Sequence, residues 1–211
     1  MTATETQTNS DVRNHYAFTP TVKAIQARKG SRNAYQQREQ RPWKATVTPD
    51  LAAFIAAQTS FFMATATADG QPYIQHRGGP PGFLHVLDDK TLAFADFAGN
   101  RQYLTQGNLA ENPKAYLFLI DYVNRQRIKI WGTAKVVEDD PELLAKLMPQ
   151  GYKARPEQVI VFTITAWDSN CPQHIPQKLD LADVIAVVAD RDQRIKELEA
   201  EVARLKAMTP A

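Results

Sequence analysis

The middle of the chain alternates short apolar segments with turn signals, and this pattern restricts the fold more than any other feature. The segment SFFMATATADGQPYIQHRGG holds the dipeptide Asp69-Gly70, which is typical of two-residue hairpin loops. The segment GFLHVLDDKTLAFAD repeats the arrangement around Asp88, Asp89 and Lys90, and three more strand-like segments follow: KAYLFLIDY, QRIKIWGTAKVVED and EQVIVFTITAWD. Roughly six strands joined by short turns, with few helices between them, predict an antiparallel barrel or sandwich.

Two segments carry the signals that start a helix. In TPDLAAFIAAQ, Thr48 occupies the N-cap position and Pro49 the first turn. In DPELLAKLM, Asp139 or Asp140 is the expected cap. These segments predict two helices that flank the strands.

The charge balance and the single cysteine limit the classes of function. The chain has 25 Lys and Arg residues against 23 Asp and Glu residues, and the resulting net charge of +2 does not favour a nucleic-acid partner. Cys171 alone cannot form an internal disulfide framework and fits a reducing compartment. No segment approaches the roughly 20 apolar residues that span a bilayer, and the polar N-terminus lacks the apolar core of a signal peptide. We therefore expect a soluble, cytoplasmic protein without a membrane partner.

Composition divides the chain into three segments. Residues 1–45 form a polar, basic N-terminal arm, residues 46–178 the strand-rich domain, and residues 179–211 a C-terminal helix. The arm is interpreted as a solvated segment or a short helix packed on the domain. A role in binding phosphate or nucleic acid is less favoured, because the arm contains no recognisable reading motif.

Apolar residues in the C-terminal segment follow a heptad a/d pattern that only Arg191 interrupts. In a parallel pair of such helices, Arg194 would face Glu199 of a second chain, and Glu201 would face Lys206, so that both contacts join opposite charges. The pattern favours a two-stranded parallel coiled coil; the alternative is a single amphipathic helix lying on its own domain. The apolar a and d residues are Leu181, Val184, Val188, Ile195, Leu198, Val202 and Leu205.

The segment FADFAGNRQYLTQGNLAENP joins a predicted strand to a predicted helix and is rich in hydrogen-bonding groups. Gly99 provides a turn, Asn100 and Arg101 follow it, and Gln106 and Asn108 come about one helical turn later. Several amide groups beside a fixed positive charge suit a planar, anionic ligand.

A purely structural interpretation of the same segment is also open. In it, Asn100 caps the helix and Arg101 pairs with a nearby carboxylate on the surface, that of Glu111 or Asp96.

Four motifs in order make this region similar to a known family. They are LAFADFAGNR, NLAENP, KAYLFLI and NRQRIKIWG, and the later segment YKARPEQVIVFTITAWD matches the final strand. The chain resembles, over roughly residues 50 to 177, the pyridoxamine 5'-phosphate oxidase family of FMN-binding split barrels. The resemblance implies a mainly β fold, an antiparallel split β-barrel with flanking helices and a C-terminal helical tail. It also implies a homodimer that binds FMN in grooves between the subunits.

The resemblance assigns roles to individual residues. Arg101 matches the phosphate-binding Arg of the family, Gln126 its flavin-facing Gln, and Trp167 its terminal-strand Trp. Gln102 stands where the family commonly has Lys, so one phosphate charge is missing, and Arg77 is the candidate to supply it. The full set of predicted cofactor-binding residues is Gln75, His76, Arg77, Asn100, Arg101, Gln106, Asn108, Gln126, Trp167, Asn170 and Gln173.

We expect an FMN-dependent oxidoreductase that acts on an unidentified small molecule, with NADH or NADPH as a candidate electron donor. The B6 biosynthetic oxidase itself is not expected, because the segment DSNCPQHIPQ keeps His174 but lacks the arginines that hold a phosphorylated B6 vitamer. Alternatives on the same fold are a flavin- or haem-binding protein without turnover and a reductase that uses the deazaflavin F420. No catalytic residue is assigned, since redox chemistry belongs to the cofactor. Cys171 and His174 make half a metal site at most.

Overall fold

The computed structural model describes residues 17–39, 43–169 and 172–208. The described chain divides into two compact units. The first contains residues from Met1–Ile120 and Arg127–Cys171, and the second contains residues from Asp121–Gln126 and Pro172–Ala211. The predicted cofactor-binding residue Asn170 and the single cysteine, Cys171, lie outside the described residues.

Seven strands form one sheet with the order β2-β1-β5-β6-β7-β4-β3. The β1–β2, β1–β5, β3–β4, β4–β7 and β6–β7 pairs are all antiparallel, which confirms the predicted mainly β, antiparallel fold. The sheet has one strand more than the roughly six predicted, and β3 contains only two residues. The strands are β1 (Ser60–Ala66), β2 (Pro72–Gly78), β3 (His85–Val86), β4 (Thr91–Phe97), β5 (Lys114–Asp121), β6 (Gln126–Val137) and β7 (Pro156–Ser169).

The predicted turn signals lie where the chain reverses. β1 and β2 are joined through Asp69 and Gly70, and Gly70 has a φ of 93°, a left-handed conformation that glycine adopts without steric cost. The Asp88–Lys90 segment joins β3 to β4, with the Lys90 N–H donating to the Asp88 carboxylate over 2.8 Å. Both hairpin predictions are confirmed.

Two helices of the first unit begin at the predicted caps. The Thr48 hydroxyl accepts from the Leu51 N–H over 3.3 Å, and the Asp140 carboxylate accepts from the Leu143 N–H over 2.9 Å. These bonds satisfy first-turn N–H groups that the helix itself leaves free. The helices of the described chain are α1 (Pro20–Arg28), α2 (Arg32–Glu39), α3 (Pro49–Ala57), α4 (Leu104–Glu111), α5 (Pro141–Leu147) and α6 (Leu181–Met208).

The alternation along β7 builds two apolar clusters on opposite faces of the sheet. Ile160, Phe162 and Ile164 point into the larger core, which also holds the fully buried ring of Phe94. Val159 belongs to a smaller cluster, which includes the buried side chain of Leu147 from α5. Each fully buried side chain of this size contributes about 1.5–3 kcal/mol, so the two faces of β7 hold the framework together.

The N-terminal helices are tied to each other by an ionic cluster. The Glu39 carboxylate accepts from both terminal nitrogens of Arg32, over 2.5 and 3.0 Å, and lies 3.2 Å from the Lys23 ammonium. First the hydrogen bond from Arg32, and then the contacts with Lys23, lower the pKa of Glu39 to about 2. The α1–α2 pair therefore carries a carboxylate that is ionised at all moderate pH values.

Aromatic rings place the N-terminal segment on the sheet. The ring of Trp43 stacks on that of Trp131 in β6, with centroids 4.6 Å apart, and Phe18 lies 5.7 Å from both Trp43 and Tyr35. The following residue, Lys44, accepts a backbone hydrogen bond from the Trp167 N–H over 2.8 Å. The structure thus shows short helices with aromatic contacts to the sheet in the described part of the predicted arm.

The second unit is dominated by α6, one continuous helix of 28 residues. Before it, the Gln177 side chain donates to the Val123 carbonyl over 3.1 Å, and the Lys178 N–H donates to the Tyr122 carbonyl. None of the helices in the described part of the chain combines the length and apolarity that crossing a bilayer requires.

Candidate ligand-binding groove

A groove in the first unit lies between β2, the end of β4 and the loop of residues 98–103 that leads into α4. Its volume is about 240 Å³. Its lining is mostly polar and comes from five parts of the fold: β2, β4, the loop, the first turn of α4 and the start of β7. The lining residues are Tyr73, Gln75, Arg77, Asp96, Phe97, Gly99, Asn100, Arg101, Gln102, Tyr103, Leu104, Thr105, Gln106, Glu157 and Gln158.

The alternation of β2 decides which of its side chains reach the groove. Tyr73, Gln75 and Arg77 lie on one face and line it, while Ile74 and His76 lie on the other face and are exposed. The His76 ring instead meets the ring of Phe62 edge-on, with centroids 5.6 Å apart. His76 therefore does not line this groove, because neighbouring strand residues point to opposite faces.

Arg77 is enclosed and already paired. Its guanidinium forms a salt bridge with Asp96, and the second carboxylate oxygen of Asp96 accepts from the Gln158 amide over 2.9 Å. The guanidinium carbon also lies 5.9 Å from the centre of the Phe94 ring. The buried side-chain nitrogens without a hydrogen-bond partner among the described residues include the Arg77 Nε. Arg77 thus lines the groove, but Asp96 neutralises its charge.

Arg101 has the opposite character. It is exposed, its φ is 60°, and its Nε donates to the Tyr103 hydroxyl over 3.1 Å. The hydrogen bond to Tyr103, and to a lesser extent the charge of Glu157, raise the pKa of Arg101 above its ordinary value. No ion pair holds Arg101 within the described residues, so its charge is available to a ligand.

The contacts of Asn100 and Arg101 differ from those that the purely structural interpretation of the sequence expects. The Asn100 side chain accepts from the Gln102 N–H over 3.2 Å and so closes a turn before the helix, and Leu104 is the first helical residue. Asp96 is occupied by Arg77. Asn100 therefore stabilises the loop, and Arg101 bonds to Tyr103 in place of the carboxylates considered from sequence.

The N-terminus of α4 is turned towards the groove. Tyr103 occupies its N-cap position in a left-handed conformation, with a φ of 54°, and makes no side-chain capping bond. The first-turn residues Leu104, Thr105 and Gln106 line the groove. Free N–H groups at a helix start attract anions. The Gln106 amide itself donates to Glu138 over 2.6 Å, which fixes its orientation.

Several predicted site residues lie outside the groove. The buried Asn108 amide donates to the Thr65 hydroxyl over 2.9 Å, and the Trp167 indole, only 7% exposed, packs in the core and donates to the Thr46 carbonyl over 2.8 Å. Both side chains make these contacts within the fold, and neither lines the groove. Gln126 and Gln173 are both exposed and belong to the second unit.

The sequence analysis missed the residues that complete the groove around Arg77. Asp96 lies opposite Gln158 in the β4–β7 register, and this cross-strand pairing brings their side chains together. Neither residue stands near Arg77 in the sequence, so only the strand order could have revealed the cluster. A polar residue inside each of two apolar strands was the available signal.

The arrangement suits an anionic group better than a metal ion. Arg101 and the start of α4 supply donors, and these match the oxygens of a phosphate. Within the described ranges no group of three or more His, Cys, Asp or Glu side chains is placed to hold a metal. Phe97 adds an aromatic surface to the same lining. The groove can therefore bind a molecule with a phosphate at one end.

Comparison with known proteins identifies the family. The family model of pyridoxamine 5'-phosphate oxidase matches residues 47–171, more than half of the chain. The chain belongs to the pyridoxamine 5'-phosphate oxidase family, and the predicted split-barrel fold is confirmed. No curated protein matches the chain significantly.

Three solved structures are similar to this chain at low sequence identity. HupZ from Group A Streptococcus is 21% identical, with 63% of this chain and 99% of that chain covered and a TM-score of 0.49. An FMN-binding protein from Syntrophomonas wolfei is 14% identical, with 69% and 97% covered and a TM-score of 0.44. An F420 reductase is 19% identical, with 58% and 98% covered and a TM-score of 0.43.

Proposed function

We propose that this protein is an FMN-dependent oxidoreductase that acts on a small organic molecule, and that the groove holds the phosphate end of the flavin. One observation carries the proposal: Arg101, without an ion-pair partner among the described residues, stands on a left-handed loop beside the uncapped start of α4. When bound, FMN supplies the redox chemistry by taking up electrons from a reduced donor and passing them to an acceptor. The residues of the chain bind and orient it.

The phosphate is assigned to the α4 side of the groove. A dianion there would accept from the Arg101 guanidinium and from the N–H groups of Leu104 and Thr105, and would gain from the helix dipole. The Asp96 carboxylate does not oppose it, because Arg77 already neutralises that charge. Gln102 replaces the Lys that contacts the phosphate in the family. In this proposal backbone N–H groups, and not the Arg77 charge, mainly make up for that contact.

The rest of the cofactor needs more space than one chain provides. The volume of about 240 Å³ falls below the roughly 300–1,000 Å³ of typical ligand pockets, and the groove is open to solvent. A homodimer with the groove at the subunit boundary would enclose the isoalloxazine ring. In that arrangement Gln75 offers an amide to the ring edge and Phe97 an apolar surface.

The first experiment identifies what the protein binds. The purified protein is released from its ligand by denaturation, and the ligand is identified by mass and absorption spectrum. The FMN mass with flavin absorption bands supports the proposal. A haem Soret band or a deazaflavin mass overturns it in favour of the two alternatives on the same fold, and failure of the apoprotein to bind added FMN overturns it altogether.

The second experiment tests the phosphate position. Arg101→Ala should weaken FMN binding about tenfold to a hundredfold, because a hydrogen bond to a charged group is lost. Arg28→Ala is the matched control, since Arg28 is an exposed arginine on α1, outside the groove lining. Riboflavin, which has no phosphate, should bind the Arg101 variant and the parent equally. Equal FMN affinity in both arginine variants contradicts the placement.

The third experiment separates an enzyme from a passive carrier. Under anaerobic conditions, NADH or NADPH should bleach the flavin bands of the loaded protein, and a subsequent oxidant should restore them. If neither nucleotide, nor an artificial reductant of similar potential, reduces the bound flavin faster than free FMN, the protein is a flavin carrier.

A further inference from the structure

The C-terminal helix α6 carries an exposed apolar stripe. Over its 28 residues, apolar side chains recur every three or four positions, and among them Val188 is 49% exposed, Ile195 52% and Leu198 48%. An apolar stripe of this length along one helix face, interrupted only at Arg191 and with charged residues beside it, marks an interaction surface.

The residue types at the stripe specify the kind of partner. With Leu181 at a and Val184 at d, the later a positions are Val188, Ile195 and Val202, and Leu198 is at d. β-branched residues at a with leucine at d favour two parallel strands over higher oligomers. The repeat is a heptad throughout, which gives the left-handed supercoil of a dimer.

The charges that flank the stripe agree with an in-register pair. In a parallel dimer each g residue faces the e residue five positions later in the partner, so Arg194 meets a Glu199 and Glu201 meets a Lys206. Twofold symmetry makes each contact twice. No like-charged g–e pair arises along the helix, so the charges select a second copy of this chain.

We propose that α6 pairs with α6 of a second copy in a parallel, two-stranded coiled coil. This contact is additional to the barrel-level dimer suggested for cofactor binding and does not depend on it. It joins two protomers through their C-terminal segments.

Arg191 occupies a d position and sets the register. Its aliphatic stem can cover the seam while its guanidinium reaches the partner's polar flank, where Asp192 stands at e. Shifting the register by one heptad would place each Arg191 against an apolar d residue of the other helix. A single charged core position thus lowers stability but fixes alignment.

Two ion pairs within one helix share Arg194 and Glu201 with the proposed contacts. Arg194 pairs with Glu197 over 2.9 Å and Arg204 with Glu201 over 2.5 Å, both three residues apart. Arg194 and Glu199 are five residues apart and lie on different sides of the helix. A coupling between them can therefore arise only between two helices.

Disulfide trapping in the full-length chain tests the pairing and its direction. In a Cys171→Ser background, Leu198→Cys places a thiol at a d position, where the two copies face each other only in a parallel, in-register pair. Lys196→Cys, at an outward position, is the control. We expect about tenfold more covalent dimer from Leu198→Cys than from Lys196→Cys in a glutathione buffer. Equal yields overturn the proposal, as does a native dimer in which Leu198→Cys does not cross-link.

A charge exchange in the Leu198→Cys background then tests the flanking pairs. Glu199→Arg and Arg194→Glu should each lower the equilibrium yield of covalent dimer about fivefold, because two exposed attractive pairs become repulsive. The double variant Arg194→Glu/Glu199→Arg should return to the parent value. An antiparallel pair, or a helix packed on its own barrel, gives no such rescue, and absence of rescue therefore refutes the parallel arrangement.

Discussion

Two arginines line the same groove and differ in almost every physical respect. Arg77 stands on a strand, with only 16% of its side chain exposed, and is held by Asp96. Arg101 stands on a loop in a left-handed conformation, is exposed, and has the Tyr103 hydroxyl as its one hydrogen-bond partner among the described residues. Asp96 thus neutralises the charge of Arg77 within the sheet, while the charge of Arg101 on the loop stays available to a ligand. Burial and partners, not residue type, separate a structural arginine from a binding one.

The comparison extends from the arginines to the regions that carry them. In the sheet, each position is constrained by neighbours on the next strand, whereas the loop and the first turn of α4 have open space around them. The space around two glycines shows this difference in packing. A Cβ at Gly132 in β6 would lie 2.1 Å from the Thr163 carbonyl oxygen, whereas a Cβ at Gly107 in α4 would meet nothing within 4 Å.

The largest effect is expected at Gly132. Gly132→Ala should destabilise the fold by about 3 kcal/mol or more, because the added methyl clashes with the backbone of β7 and the Phe162 ring at a register shift of the β6–β7 pair. Urea unfolding followed by circular dichroism measures the change.

Gly107→Ala is the matched control for this prediction. An alanine in a helix interior with free space should stabilise by about 0.5–1 kcal/mol, since it removes backbone freedom from the unfolded chain. Similar losses in both variants would mean that the sheet and the groove helix are equally constrained, contrary to the comparison.

The next effect concerns the partner of Arg77. Asp96→Ala should cost about 2–3 kcal/mol, because it leaves an enclosed guanidinium without its counter-charge and frees the Gln158 amide. The measurement is again urea unfolding. Asp89→Ala removes an exposed aspartate from the β3–β4 turn and should change stability by less than about 0.5 kcal/mol. An equally small loss for Asp96→Ala would show that Arg77 does not need its partner.

The fold was largely predictable because local signals and the sheet agree. The hairpin dipeptide Asp69-Gly70, the caps Thr48 and Asp140, and the alternation of β7 each act within a few residues, and all were confirmed. Burial adds to these signals without overriding them.

The groove was predictable only in part, because it depends on long-range register. Arg101 and Gln106 were found from the polar segment that contains them. The partnership of Arg77 with Asp96 required the two strands to be brought together by the sheet. His76 lies outside the groove because one residue along a strand reverses the face. Family resemblance supplied the assignment of Trp167 but not its burial in the core.

A third arginine, Arg32, lies between the two extremes and predicts a pH effect. The pKa of its partner Glu39 is lowered from an ordinary value of 4.5 to about 2. The ionised carboxylate therefore stabilises the α1–α2 pair in full at pH values above about 4.5. This contribution is lost as the pH falls towards 2. Glu39→Gln should cost about 1 kcal/mol at pH 7, a value reduced by the partial exposure of the pair. The difference between parent and variant in urea unfolding should shrink steadily below pH 4.5; a constant difference would show that the carboxylate charge is irrelevant.

The smallest effect on the free protein is expected at Arg101, and this is the sharpest test of the comparison. Arg101→Ala removes a side chain that makes no ion pair among the described residues and one hydrogen bond to an exposed tyrosine hydroxyl, so the unfolding free energy of the apoprotein should change by less than about 0.5 kcal/mol. With FMN present well above its Kd, each tenfold loss of affinity should remove about 1.4 kcal/mol of ligand stabilisation. Thermal unfolding with and without FMN measures both quantities on one sample. A large loss of unfolding free energy in the apoprotein would show that Arg101 stabilises the fold, as Arg77 does. That result would contradict the assignment of the Arg101 charge to ligand binding.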